Sequence, residues 1–181
     1  MNEQSFYSEL IDKLKPEFEL IHPCCPNPLD VWSQSAFGKF SLPHDLELFY
    51  KAANGMKRVQ EDQYFTFQLH PLEDLKLFVE YMEITEDDVE DFSEELEMRS
   101  VNDWVIIGSE GEYGVYTVNC NPSSEEFGVV AGVVVNIPEN FGTWPSFKAF
   151  AEGLPAYCNE RPLDQYKDEM IASYPSYGFA L

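Results

Sequence analysis

The amino-acid sequence predicts an α+β domain with a mainly antiparallel central sheet flanked by helices. Three β-rich runs follow one another at residues 104–108, 113–119 and 128–136, separated by clusters of Gly, Asn, Pro and Ser. Their connections are too short for helical crossovers, which favours antiparallel pairing. Apolar residues at helical spacing dominate the first half of the chain and return after the last run. One domain over residues 1–181 is expected, because a chain of this length buries roughly two-thirds of its unfolded surface around a single core.

The first predicted helix, residues 5–14, is short. Phe6, Leu10 and Leu14 recur at four-residue steps and form one apolar stripe, and a proline soon after Leu14 ends the helix. The following residues, 21–30, are rich in proline and are predicted to form a loop.

The second predicted helix occupies residues 42–55 and is the clearest local signal in the sequence. Pro43 lies in its first turn, and Asp45 and Glu47 lie near its positively polarised end. The Asn-Gly pair that finishes at Gly55 predicts a left-handed stop.

The middle of the chain predicts one strand and two further helices. Residues 64–69 alternate as a strand does, and a helix is expected to begin near Leu72. Thr85 followed by Asp88 is similar to a capping box and predicts the start of an amphipathic helix. The apolar positions of that helix are Val89, Phe92 and Leu96.

A helix at residues 143–154 is predicted to close the core. Pro145 stands in its first turn, and Phe147 and Phe150 share one apolar stripe. The remaining chain contains only a weak helical pattern at residues 163–172.

The charge balance restricts the class of partner. The sequence has 33 Asp and Glu against 11 Lys and Arg, a formal net charge of -22. Such a field repels nucleic acid and anionic membranes and attracts a basic protein. The sequence has no apolar run long enough to span a membrane, and its polar, acidic N-terminus is unlike a secretory signal, so a cytoplasmic location is expected.

The strongest local concentration of charge is the acidic segment, residues 83–97, which contains nine carboxylates and no basic residue. It is either a solvated helix face or a docking surface for a basic partner. The density favours docking, because neighbouring like charges destabilise a helix. The predicted partner-binding residues are Glu83, Glu86, Asp87, Asp88, Glu90, Asp91, Glu94, Glu95 and Glu97.

No metal or cofactor site is predicted. The carboxylates of residues 83–97 lack the order and the glycine of a calcium-binding loop. His22, Cys24 and Cys25 form a short cluster, but the paired spacing of zinc ligands is missing. Ordinary thiols without a disulfide framework are expected.

No catalytic residue is predicted either. Residues 108–114 contain three glycines but lack the Lys and the Ser or Thr of a phosphate-binding loop, so they are expected to form a tight turn. His44 falls in the first turn of a predicted helix, His22 and His70 each precede a proline, and no serine lies in a G-x-S-x-G turn.

Three stretches together resemble a known family. Residues 42–55 (LPHDLELFYKAANG), 101–119 (VNDWVIIGSEGEYGVYTVN) and 146–154 (SFKAFAEGL) occur in the order and spacing of the SUKH superfamily, named after the fungal Smi and Knr cell-wall assembly regulators. The best-matching core is residues 38–155, with 156–181 as a C-terminal extension. The resemblance implies a mainly antiparallel sheet with helices packed against it.

The resemblance also implies a function without chemistry. Bacterial relatives are implied to be immunity proteins that bind and neutralise toxins, many of them nucleases. The leading hypothesis is therefore an immunity protein that occludes a basic, nuclease-type toxin. The alternative is a regulatory scaffold of the Smi and Knr type that recruits other cytosolic proteins. Neither hypothesis predicts an oligomeric state.

Overall fold

The computed structural model describes residues 3–35, 37, 39–59, 67–111 and 114–160. Within these residues the chain forms six α-helices and eight β-strands. In chain order they are α1 Glu3–Leu14, β1 Phe18–His22, α2 Pro28–Gln34, α3 His44–Ala52, β2 Asn54–Arg58, β3 Phe67–Leu69, β4 Lys76–Leu77, α4 Phe78–Tyr81, α5 Val89–Glu95, β5 Trp104–Glu110, β6 Gly114–Asn119, β7 Val130–Val134, β8 Glu139–Trp144 and α6 Phe147–Glu160.

The strands form one antiparallel sheet in the order β1-β2-β3-β5-β6-β7-β8. Strands β3 and β4 pair with the same edge of β5, one after the other. Strand β3 pairs with β5 as far as Gly108, and the short strand β4 pairs with Ile106 and Val105. Strands β1 and β8 are the two outer strands among those described. The predicted α+β class with an antiparallel sheet is confirmed.

Helices cover both faces of the sheet. On one face α1, α2, α3 and α6 enclose the larger core, in which the rings of Phe49 and Phe147 lie 5.2 Å apart. On the other face Phe78 and Leu96 pack against a smaller core. Successive residues of a strand face opposite sides, so the apolar side chains of the central strand β5 alternate between the two cores. Burial on both faces explains why this strand is a continuous apolar run.

The predicted loop at residues 21–30 was wrong at both ends. Strand β1 extends to His22, and helix α2 begins at Pro28, so only the residues between them are irregular. Strand β1 buries only Phe18, and such a polar edge strand lacks clear alternation. Helix α2 is held by Trp32, whose indole Nε1 donates to the carbonyl oxygen of Phe40 at 3.1 Å.

The second helix is confirmed, but its predicted left-handed stop was wrong. Helix α3 ends at Ala52, and Asn54 already begins strand β2. Gly55 has φ +82, and a Cβ there would stand 2.7 Å from the backbone nitrogen of Pro71. The glycine therefore permits the close approach of the backbone at Pro71, just after strand β3, rather than capping a helix.

In the middle of the chain the helix expected near Leu72 is a single 3-10 turn at Leu72–Asp74, followed by β4 and α4. The strand predicted at residues 64–69 is present as β3, and its first three residues lie outside the described ones. The weak helix predicted at residues 163–172 also lies outside them.

The tight turn predicted at residues 108–114 is the end of the β5–β6 hairpin. Gly108 lies inside strand β5, beside a register shift, so the prediction that it forms part of the turn was wrong. Gly114 is the first residue of strand β6. Gly111 lies between the strands with φ +60.

The end of the core also differs from the prediction, because strand β8 occupies residues assigned to the closing helix. Helix α6 begins at Phe147, and the hydroxyl of Ser146 accepts the backbone N–H of Ala149 at 3.2 Å. The helix continues through Pro155 to Glu160, beyond its predicted end. Strand β8 was not predicted, because its residues are only exposed or half-buried and include Asn and Gly, so they lack the apolar pattern of a strand.

Candidate functional site

The acidic segment lies on the surface over the smaller core. All nine of its carboxylate side chains are exposed. The helical part is shorter than predicted, since α5 comprises seven residues and Glu86, Asp87 and Asp88 form turns before it. The capping-box interpretation was wrong, because Asp88 is itself the N-cap residue and accepts a hydrogen bond from the Thr85 hydroxyl at 2.5 Å.

Apolar side chains fix the segment to the sheet. Leu96 is fully buried in the smaller core, and Val89 and Phe92 pack half-buried against it, on the face that the spacing predicted. Ser93 is a further anchor that apolar periodicity could not indicate. Its hydroxyl donates to the carbonyl oxygen of Val89 at 2.5 Å and accepts the backbone N–H of Val101 at 3.1 Å.

Two glutamates at the ends of the segment have left-handed backbones. Glu83 and Glu97 both have φ +55 and directly follow the last turns of α4 and α5. At Glu97 the next N–H, that of Met98, donates to the carbonyl of Ser93 at 2.9 Å, and at Glu83 the next N–H donates to Val79 at 2.9 Å. These are Schellman closures, in which glycine is the usual residue. A carboxylate at a helix C-terminus also opposes the helix dipole.

We expect Glu83→Gly and Glu97→Gly each to stabilise the fold. Removing the left-handed strain of a residue that carries a Cβ should raise the free energy of unfolding by about 1 kcal/mol. Chemical denaturation measures this change. Glu152→Gly, at an exposed position of helix α6, is the control and should be destabilising, because glycine is disfavoured in helices. Unchanged or lower stability of both glycine variants at residues 83 and 97 would contradict the assignment of strain.

The charge of the acidic segment is not neutralised by the rest of the described chain. None of its nine carboxylates forms an ion pair with another described residue. Arg99, the basic residue nearest along the chain, instead pairs with the carboxylate of Glu125, and its backbone N–H donates to Glu126. Within the described chain, the segment therefore presents an exposed and uncompensated anionic surface.

Sequence reasoning missed the neighbours of this surface on strand β8. Glu139 and Phe141 line a cleft together with Glu95 and Glu97 of the acidic segment. They lie more than forty residues further along the chain, and only the packing of α5 beside the last strand brings them together. No local pattern in the sequence could have indicated this.

The candidate metal cluster does not assemble. His22 lies with its Nε2 3.6 Å from a carboxylate oxygen of Glu73, Cys24 is exposed, and Cys25 is half-buried. Burial raises the pKa of Cys25, which disfavours the thiolate that a metal needs. Across the described ranges of the chain, no three His, Cys, Asp or Glu side chains are grouped as metal ligands.

His70 is paired with a serine. Its Nε2 lies 3.1 Å from the hydroxyl oxygen of Ser109, beside a cavity of about 440 Å³. Burial lowers the pKa of His70, so the imidazole is neutral near pH 7. No carboxylate among the described residues accepts a hydrogen bond from this ring, and the orienting member of a Ser-His-Asp triad is therefore not supplied there.

These features define an α+β domain with an antiparallel sheet, helices on both faces and an exposed acidic surface over the smaller core. The chain belongs to the SMI1 / KNR4 family (SUKH-1), whose family model matches residues 34–153. The match extends from the end of α2 into α6 and includes the acidic segment. A comparison with curated proteins found none that matches. Among the described helices, none combines the length and the apolar character needed to cross a bilayer.

Proposed function

We propose that this chain is a non-catalytic immunity protein that binds a basic, nuclease-type toxin through the acidic segment and occludes its active site. The observation that carries the proposal is the set of exposed carboxylates at residues 83–97, which form no ion pair with any residue that the structure describes. Membership in the SUKH-1 family supports a protein-binding role.

The physical basis of the proposal is electrostatic complementarity. A nuclease binds its substrate in a groove that attracts phosphates, and a ridge of carboxylates can occupy the same groove. Complementary charge can raise an association rate constant to on the order of 10⁸ M⁻¹s⁻¹ at low salt. The strained positions of Glu83 and Glu97 also favour a binding role, because solubility alone does not require carboxylates at helix C-termini.

The proposal predicts that a secreted toxin is encoded beside this gene, and an inhibition assay with that protein tests it. We call that protein, or its C-terminal domain, the toxin domain. We expect a stoichiometric amount of this chain to abolish the nuclease activity of the toxin domain. We also expect cells that produce this chain to survive expression of the toxin domain. A toxin domain that stays active in a saturating amount of this chain would contradict the proposal.

The second candidate is a regulatory scaffold that recruits other cytosolic proteins. The family match favours it equally, since the family is named after SMI1 and KNR4. Two findings together would assign the acidic segment to this role. The gene for this chain would have no toxin gene beside it, and the chain would stably bind a basic cytosolic protein.

A further inference from the structure

A cavity of about 440 Å³ opens on the smaller-core face of the sheet, where strand β3 ends and β4 follows it beside β5. Residues directly opposite on neighbouring strands share a face. Lys76 lies opposite Ile106, which belongs to the smaller core and is the buried floor of the cavity. Gln68 lies opposite Ser109, which is in turn opposite Val115 of the same core. The strand residues that line the cavity therefore open to one side.

Three further side chains complete the walls. His70 lies on the same face, since its Nε2 is 3.1 Å from the hydroxyl oxygen of Ser109. Tyr81, at the end of α4, is 39% exposed and forms the opposite wall. Glu73 is already engaged, because one of its carboxylate oxygens accepts the side-chain N–H of Asn54 at 2.9 Å. The volume lies in the range of about 300–1,000 Å³ that small-molecule sites occupy.

Two opposite charges at the cavity have no partner within the described chain. The carboxylate of Asp74 and the ammonium group of Lys76 both line the cavity, and neither forms an ion pair with any described residue. Three other lysines of this acidic chain, Lys15, Lys51 and Lys57, each pair with a nearby carboxylate. Asp74 and Lys76 are only two residues apart and still do not pair with each other, so both charges remain available to a ligand.

Neutral groups of the cavity are available as well. The side-chain amide of Gln68 and the hydroxyl of Tyr81 form no hydrogen bond with any described residue. His70 adds hydrogen-bonding capacity without a charge, because burial lowers its pKa. Asp74 raises the pKa of His70 and Lys76 lowers it, so both charged groups are close enough to act on the ring.

The combination of charges indicates the class of ligand. A single anion in the cavity would be repelled by Asp74 and a single cation by Lys76, whereas a zwitterion is attracted by both. We propose that this cavity binds a small zwitterion, a free amino acid or a short peptide, with its ammonium group at Asp74 and its carboxylate at Lys76. The ring of Tyr81 and the floor at Ile106 supply apolar surface for the part of the ligand between the charges. This site does not depend on the acidic segment or on the proposed function.

Nuclear magnetic resonance on the isotope-labelled full chain tests the site with the dipeptide glycyl-leucine. Two matched controls are acetylated glycyl-leucine, which lacks the ammonium group, and glycyl-leucine amide, which lacks the carboxylate. We expect saturable shift changes at Gln68, His70 and Tyr81 with the dipeptide, and binding about twofold to fivefold weaker for each control, the range of an exposed ion pair. Free leucine, titrated in parallel, shows whether the site prefers an amino acid or a peptide.

Single variants assign each charge of the ligand to its partner. Lys76→Gln should weaken binding of the dipeptide about twofold to fivefold and leave the affinity for glycyl-leucine amide unchanged. Asp74→Asn should weaken binding of the dipeptide to a similar extent and leave the affinity for the acetylated peptide unchanged. Lys13→Gln, the same charge change at an exposed position of α1, should bind as the wild type does.

Three results would overturn the site. These are equal affinity for the dipeptide and both controls, shift changes confined to residues 83–97, and no shift change with either the dipeptide or leucine. The toxin assay separates this site from the proposed function, because Lys76→Gln and Asp74→Asn should inhibit the toxin domain as the wild type does. Loss of inhibition in both variants would place the cavity inside the toxin interface and overturn an independent ligand site.

Discussion

Replacing Glu86, Asp87, Glu90 and Asp91 together with glutamine is expected to slow association with the toxin domain at least about tenfold at low salt, with a much smaller effect on dissociation. All four side chains are exposed and without ion pairs among the described residues, so their contribution is long-range attraction rather than a packed contact. Stopped-flow fluorescence or surface plasmon resonance gives both rate constants.

The same variant should be close to the wild type in stability. Within α5, Glu90 lies one turn from Glu94 and Asp91 one turn from Glu95, and each such like-charge pair destabilises a helix by about 0.2–0.5 kcal/mol. Both residues also stand in the first turn of α5, where a carboxylate stabilises the helix by about 0.3–1 kcal/mol, so the two effects of glutamine oppose each other. Slower association at nearly unchanged stability would show that the charges act in binding rather than in the fold. An unchanged association rate would leave them as a solvated helix face.

Leu96→Ala is expected to lower the free energy of unfolding by about 2–5 kcal/mol, the range for truncating a fully buried leucine. Leu96 is completely buried in the smaller core and is the main apolar anchor of the acidic segment. A helix as short as the seven residues of α5 is not stable by itself and depends on such packing. Chemical denaturation measures the loss, and hydrogen exchange shows whether residues 83–97 lose protection first.

Glu95→Ala is the matched control, since it removes a neighbouring side chain that is exposed. It should change the unfolding free energy by no more than about 0.5 kcal/mol, as is usual for surface substitutions. If the leucine and glutamate variants denatured at the same midpoint, Leu96 would not be the anchor of the acidic segment.

The fold was predictable where a pattern is local and strong. Helix α3 and strands β5, β6 and β7 were identified because their apolar residues recur with the period of each element or form a continuous run. Strands β1 and β8 were missed because both are outer strands that bury few side chains. What makes them strands is pairing with β2 and β7, which no window of sequence contains.

The candidate site was predictable only in part, for a similar reason. Composition alone placed nine carboxylates in the acidic segment, and helical spacing identified Val89, Phe92 and Leu96 as the side that packs inward. The left-handed conformation of Glu97 was not predictable, because it depends on how the chain leaves α5. The proximity of Phe141 follows from sheet order and not from sequence distance.

The association rate constant of wild-type chain and toxin domain, measured from low to high sodium chloride concentration, tests most directly whether these carboxylates guide a basic partner. Salt screens exposed charges over a Debye length of about 10 Å at 0.1 M. We expect the rate constant to fall steeply as salt is added while the dissociation rate constant changes little. Tight binding with an association rate that is the same at low and high salt would contradict charge-guided docking.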